Sequence, residues 1–240
     1  MWRRTLRCLG IAFIASAGTY LVLLLFPYPL FAHHVQYENL AVYSDQPLSP
    51  RLPSLLGEVQ KRLQASPFND SRLPHRMFIC NRPGLFAFFA NVNHGVGGIT
   101  YSGLNRNIFL RRAIVDRNRL VGPSGREVPG ERTLVYYMTH EITHSLVVHH
   151  LGRYQYWHLP VWKREGYADY VGRDGDFHFH EQLAAFQRGA REMDPERSGL
   201  YLRYQLLTAY LLDIRGFAPH QMLTEQWDQT SLERELRNMR

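Results

Sequence analysis

Cysteine is scarce in this 240-residue chain, with two thiols, Cys8 and Cys80. Cys8 lies in or beside an apolar N-terminal stretch and Cys80 far beyond it, so the pair is not expected to form a disulfide, and two thiols are too few for a structural zinc site of the thiolate kind. The folded part must therefore rest on its own apolar core, and about 208 residues after Ala32 are enough for one. The positive residues are nearly all arginine and lie scattered, with short groups such as Arg111-Arg112 in place of a long basic run with stacking aromatics. Three of the charges behind the net +7 are Arg3, Arg4 and Arg7 at the N-terminus. This distribution argues against nucleic acid as a partner and describes a moderately basic surface, compatible with anionic lipid or an acidic substrate. No Gly-Lys-Ser or Gly-Lys-Thr end follows the glycines of Asn93 to Gly98, so they read as a turn and not as a phosphate-binding loop. Internal repeats and low-complexity segments are absent as well.

Against this background one run stands out: His140-Glu141-Ile142-Thr143-His144. Residues four apart share a helix face, so His140 and His144 can offer two imidazole nitrogens to one metal ion. Glu141, beside them, is a carboxylate placed to take a proton from water instead of binding the metal. Thr133 to His150 reads as one helix with Leu134, Met138, Ile142, Leu146 and Val147 as its apolar stripe and Gly152 as its stop. That stripe buries the helix, and a metal ion would satisfy the polar groups that go with it. A catalytic zinc needs a third protein ligand, for which Glu165 is the best candidate. It lies on a short helix expected over Trp162 to Val171, after Pro160 and ending at Gly172. Asp169, one turn later, can accept the free ring N–H of a ligating histidine.

His-Glu-x-x-His, then twenty intervening residues, then Glu-Gly-x-Ala-Asp resembles the gluzincin metallopeptidases, the clan of thermolysin and the zinc aminopeptidases. The likeness in motifs covers Thr133 to Gly172. It implies an α+β zincin-like domain: a small mixed sheet, the active-site helix, then a mainly helical C-terminal half. It also implies Zn2+ held by His140, His144 and Glu165, with Glu141 as general base and Asp169 behind the ligands. Such sites add a hydroxyl or imidazole aimed at the developing oxyanion. Tyr204, in the segment Tyr201 to Gln205, is the favoured residue, with His158, His178 and His180 as alternatives. The expected activity is peptide-bond hydrolysis on a peptide or an exported protein, more as an endopeptidase than an aminopeptidase, because no acidic motif for a substrate amino terminus precedes His140. The competing readings are a catalytically idle zinc-binding assembly protein on the same fold and a nonpeptidase zinc hydrolase.

Arg3, Arg4 and Arg7 precede an uncharged stretch from Leu9 to Phe26 that Pro27 and Pro29 interrupt. Its length is near the minimum for a membrane-spanning helix, and Leu30 three positions before a cut after Ala32 fits a signal-peptidase site poorly. Residues 1–32 are therefore expected to be a signal anchor spanning the membrane through residues 9–26, with residues 33–240 as one domain on the exported side, periplasmic in a bacterium. Within that domain Pro50 to Ala65 reads as an amphipathic helix and Arg76 to Cys80, Phe86 to Asn91 and Asn107 to Arg112 as strands, the last as the substrate-pairing edge. Val121 to Glu131 is a Gly- and Pro-rich loop. Helices are expected over Phe179 to Met193, Gly199 to Ile214 and from Pro219 onward.

Overall fold

The computed structural model describes residues 2–82, 84–93, 95–101, 103–174 and 177–239, and the side chains of Arg3, Arg4, Arg7 and Cys8 lie outside that description. The chain is a mixed α+β protein. Helix α1 (Trp2–Leu25) leads into a hairpin of β1 (His33–Tyr37) and β2 (Leu40–Ser44), then α2 (Leu52–Gln64), β3 (His75–Cys80), α3 (Leu85–Ala90), β4 (Gly98–Thr100) and β5 (Asn107–Arg111). A small second hairpin, β6 (Ala113–Ile114) and β7 (Arg119–Leu120), precedes the long helix α4 (Leu134–Leu151). The rest is helical: α5 (Arg153–His158), α6 (Val161–Arg173), α7 (Phe179–Gln187), α8 (Pro195–Ser198), α9 (Leu202–Ala209), α10 (Pro219–Thr224) and α11 (Gln229–Asn238).

The main sheet has the order β1-β2-β3-β5-β4, with β2, β3 and β5 parallel and the two outer strands antiparallel to their neighbours. Side chains of a strand alternate between faces. Met77, Ile79, Ile108 and Leu110 accordingly enter the main core with α2, α4 and the C-terminal helices, while Phe78, Cys80 and Phe109 enter a smaller aromatic core on the other face. Cys80 is free and buried there.

Four expectations change. Asn107 to Arg112 does give a strand, β5, but it lies between β3 and β4, so the edge on that side of the sheet is β4, as β1 is on the other. Phe86 to Asn91 is not a strand: Gly84, at φ +79°, opens α3, whose Phe86 and Phe89, three apart, bury one face against the aromatic core. Gly172 lies inside α6 and does not end it; the helix runs to Arg173, and Asp174 at φ +49° breaks it. The expected membrane-spanning helix is not supported, since among the described residues no helix is long and apolar enough to cross a membrane. The last turn of α1 belongs to the domain. Leu24 is buried in the aromatic core, and the carbonyls of Leu24 and Leu25, left open at the helix end, accept hydrogen bonds from the side-chain amides of Asn105 and Asn107.

In the C-terminal half the expected helix over Phe179 to Met193 ends at Gln187 before Gly189, φ +69°. The next one begins at Leu202 and closes in a π turn at Tyr210–Ile214. The stretch from Pro219 divides into α10 and α11.

Candidate metal centre

Helix α4 is capped as its sequence suggests. The Thr133 side chain accepts the Tyr136 backbone N–H at the start, and Gly152, at φ +83°, closes the end. Nearly every residue between is buried, because α4 is enclosed by the sheet, α2 and α6. His140 and His144 therefore sit one turn apart in the protein interior, at the floor of a cleft of about 490 Å³. Helix α6, started by Pro160, crosses α4 and lays Glu165 over the two rings. Two glycines let α6 pack closely, Gly172 against α4 and Gly166 against α9. A Cβ on Gly172 would come 3.2 Å from the Tyr136 ring of α4, and one on Gly166 would meet the backbone of α9.

Three acceptor atoms converge there. Nε2 of His140 and Nε2 of His144 are 3.1 Å apart, and Oε2 of Glu165 is 3.5 and 3.7 Å from them. Ligand atoms bound at about 2.0–2.2 Å with tetrahedral angles lie about 3.4 Å from one another, so this triangle fits a first-row metal ion. The outward nitrogens carry the same message. Nδ1 of His140 lies 2.9 Å from Oδ1 of Asp169, and Nδ1 of His144 lies 3.0 Å from the Tyr156 hydroxyl. With the His140 proton drawn to the Asp169 side, its Nε2 presents a lone pair toward Glu165 and His144. A buried meeting of such acceptors is relieved only when a proton or a metal cation stands among them. The His140, His144 and Glu165 group could hold a metal ion.

The electrostatics of the protein alone agree. Burial opposes a charge on His140, but Asp169 and Glu165 beside it prevail and push its pKa up to about 10. The site thus attracts positive charge. His144, deeply buried, is pushed down to about 4 and is a neutral imidazole near pH 7. Burial would raise Glu165 and Asp169, yet the neighbouring imidazoles hold both carboxyls below their ordinary range. Glu141 goes the other way: burial raises it, and only His140 and the Thr100 hydroxyl pull it back. Thr100, on edge strand β4, donates both to the Glu141 carboxylate and to its backbone carbonyl.

Asp169 is itself fixed. The Tyr136 hydroxyl donates to its Oδ1, and Nε of Arg173 lies 3.7 Å from its Oδ2, with Arg173 held in turn by Glu131 at 2.8 Å. Five of the residues singled out from sequence, His140, Glu141, His144, Glu165 and Asp169, are therefore together. Tyr204 is not in the cleft lining; its ring stacks behind that of Tyr201, and its carbonyl faces Gly166. Tyr201 takes the place, lining the cleft with its ring parallel to that of His140 at 6.5 Å between centroids. Burial, and after it Glu165, Asp169 and Glu141, hold its phenol well above the usual range, so it keeps its proton. His158, His178 and His180 are exposed and outside the cleft. Thr100, Tyr136, Tyr156 and Arg173 complete the centre; Tyr136, four before His140, and Arg173, four after Asp169, carried a helical spacing that could have marked them, and Thr100 and Tyr156 did not.

No family model matches the chain, and neither a curated protein nor a solved structure does.

Proposed function

We propose that this protein is a zinc-dependent peptidase whose ligands are His140, His144 and Glu165 and whose general base is Glu141. The observation that carries the reading is the pairing of a three-acceptor triangle of 3.1–3.7 Å with a separate buried carboxylate one residue from the first ligand, in a cleft bordered by a free strand edge. Zinc bound there supplies Lewis acidity, polarising a substrate carbonyl and lowering the pKa of water to about 7.

The chain's own groups do the rest. Edge strand β4 offers main-chain hydrogen bonds to an extended peptide laid along the cleft. Glu141 accepts the proton of the attacking water and returns it to the departing amine. Its raised pKa suits both halves of that cycle, since a stronger acid would hold the proton too weakly to give it back. Thr100 orients the Glu141 carboxylate, and Asp169 and Tyr156 fix the two imidazoles from behind. The Tyr201 hydroxyl, protonated and in the cleft, is the donor for the developing oxyanion, in the role expected of Tyr204.

Replacing Glu141 with Gln tests the reading. Zinc content should stay at the native level while cleavage of a peptide library falls at least about a hundredfold. Undiminished cleavage by the variant would refute the role, and a zinc-loaded native chain that cleaves nothing would favour a binding protein.

Residues 9–26 are further proposed to hold the protein at a lipid surface, on the exported side. Leu9, Ile11, Phe13, Ile14, Leu21 and Val22 are large and exposed on α1, a surface that water does not favour. Flotation of the full chain with liposomes, abolished by Ile11→Ser with Phe13→Ser, tests this; flotation unaffected by the pair would refute it.

A further inference from the structure

Beyond the metal group and Glu141, the charged residues lining the described part of the cleft are Arg111 and Arg132, both positive. They stand on different elements. Arg111 ends β5, and Arg132 lies just before the Thr133 cap of α4. Tyr137 interacts with both: burial lowers the pKa of Arg111 with Tyr137 opposing, and burial raises the Tyr137 phenol with Arg132 opposing. Tyr137 is on α4 four residues before Glu141, so this basic end of the cleft begins about 6 Å along the helix from the general base.

Arg111 is anchored on two sides, and Arg132 makes one long, exposed contact. Nε of Arg111 donates to the Val96 carbonyl at 2.7 Å, and its guanidinium lies over the Phe86 ring, 4.9 Å from the centroid. Arg132 reaches the Gly199 carbonyl on the far side. The Tyr137 ring is pressed against Gly97, where a Cβ would come within 2.3 Å, and its hydroxyl has no hydrogen-bond partner among the described residues. Two guanidinium groups and a phenol O–H are donors only, or donors first, and the start of α4 adds its positive dipole end nearby. Their chemistry complements an oxygen anion of planar geometry. No acidic side chain lines that end of the cleft among the described residues, so a substrate ammonium has nothing to meet there.

We propose that the cleft recognises a peptide carboxylate beside Arg111, Tyr137 and Arg132, within one or two residues of the bond that is cut. The inference rests on the peptidase reading for the cut but not for the binding. The carboxylate is either an Asp or Glu side chain or the C-terminus of the substrate, and the experiment separates the two. An acidic substrate also suits the excess of arginine over acidic residues along the chain.

The test uses the full chain carrying Glu141→Gln, so that bound peptide stays intact, and fluorescent octapeptides with Glu, Gln or Lys at one central position, each with a free or an amidated C-terminus. The expected result is binding of a carboxylate-bearing peptide about tenfold tighter than its neutral counterpart, whether the carboxylate is lost by Glu to Gln or by amidation. Sensitivity to the central residue identifies a side chain, and sensitivity to amidation identifies the C-terminus. Arg132→Gln should remove the preference while leaving affinity for the neutral peptide, and Arg132→Lys should keep much of it. Equal binding of acidic, neutral and amidated peptides, or a preference that survives both Arg111→Gln and Arg132→Gln, would overturn the proposal. Cleavage by the native chain is read separately. Preferential binding with no cleavage would sink the peptidase reading alone, whereas cleavage indifferent to acidic residues would sink the carboxylate site alone.

Discussion

Gly166 is the residue next to Glu165, at the place where α6 meets α9. A Cβ added there would lie 2.4 Å from the Tyr204 carbonyl oxygen, 2.8 Å from the Tyr204 carbonyl carbon and 2.6 Å from Oγ1 of Thr208. Two of these atoms are main chain of α9 and cannot swing aside, so Gly166→Ala must push the helices apart by about 1 Å to restore contacts of about 3.5 Å. Overpacking of this kind costs about 1–3 kcal/mol, of which the better helix propensity of Ala offsets up to about 1 kcal/mol. With the full offset the remaining loss is about 0–2 kcal/mol, which lowers the melting temperature of a domain this size by up to about 8 °C. The second effect is on the metal. Glu165 moves with α6, and its Oε2 must stay within reach of both imidazole nitrogens, now 3.5 and 3.7 Å away. Displacement of that carboxylate should weaken zinc binding by about tenfold or more. Thermal unfolding of the metal-free chain, followed by circular dichroism, reads the first effect, and competition with a chromophoric chelator reads the second. A Gly166→Ala protein with native melting temperature and native zinc affinity would refute the helix crossing described here.

Other outcomes follow from the same geometry. Asp169→Asn removes the charge behind His140 while keeping the shape, and zinc affinity measured by chelator competition should fall about 10–100-fold. Tyr201→Phe should lower kcat with KM little changed, and Tyr204→Phe should alter neither; the reverse ranking in steady-state assays would return the oxyanion role to Tyr204. His75 is buried with neither ring nitrogen hydrogen-bonded, and burial, aided by Arg106 and His149, pushes its pKa down to about 4. An unfolded chain, with an ordinary histidine, takes up that proton first, so the contribution is intact above about pH 6.5 and is lost as pH falls toward 4, by about 3 kcal/mol in all. Denaturant titrations between pH 7 and 4 should show His75→Leu losing that much less stability than the native chain, and parallel curves would contradict the assignment.

The helices that carry the candidate metal ligands were legible because their signals are local. Thr133 and Gly152 bracket α4, Pro160 starts α6, and ligands at i, i+4 with the later Glu-x-x-x-Asp need only helical periodicity to be placed. What went unread depends on tertiary packing. The strands β1 and β2 carry no marked alternation, and their place in the sheet comes from pairing with each other and with β3. Six apolar residues at Leu85–Ala90 suit a strand or a helix equally, and the left-handed Gly84 with the buried Phe86 and Phe89 decides for a helix. Strand order is not chain order, which is why β5 looked like an edge and β4 is one. Thr100 and Tyr156 reach the centre from β4 and α5, and no spacing relative to His140 announces either. Tyr201 and Tyr204 both stood in a plausible segment, and the contact of α9 with α6 at Gly166 turns the former into the cleft.

The most direct test of the account is the zinc content of the purified full chain, measured at neutral pH for the native sequence, for His144→Ala and for Glu165→Ala, with folding checked by circular dichroism. The triangle of His140, His144 and Glu165 predicts about one zinc per native chain and a sharp reduction in both variants. A folded native chain that takes up no zinc, or variants that retain it in full, would contradict the metal centre and the proposed chemistry with it.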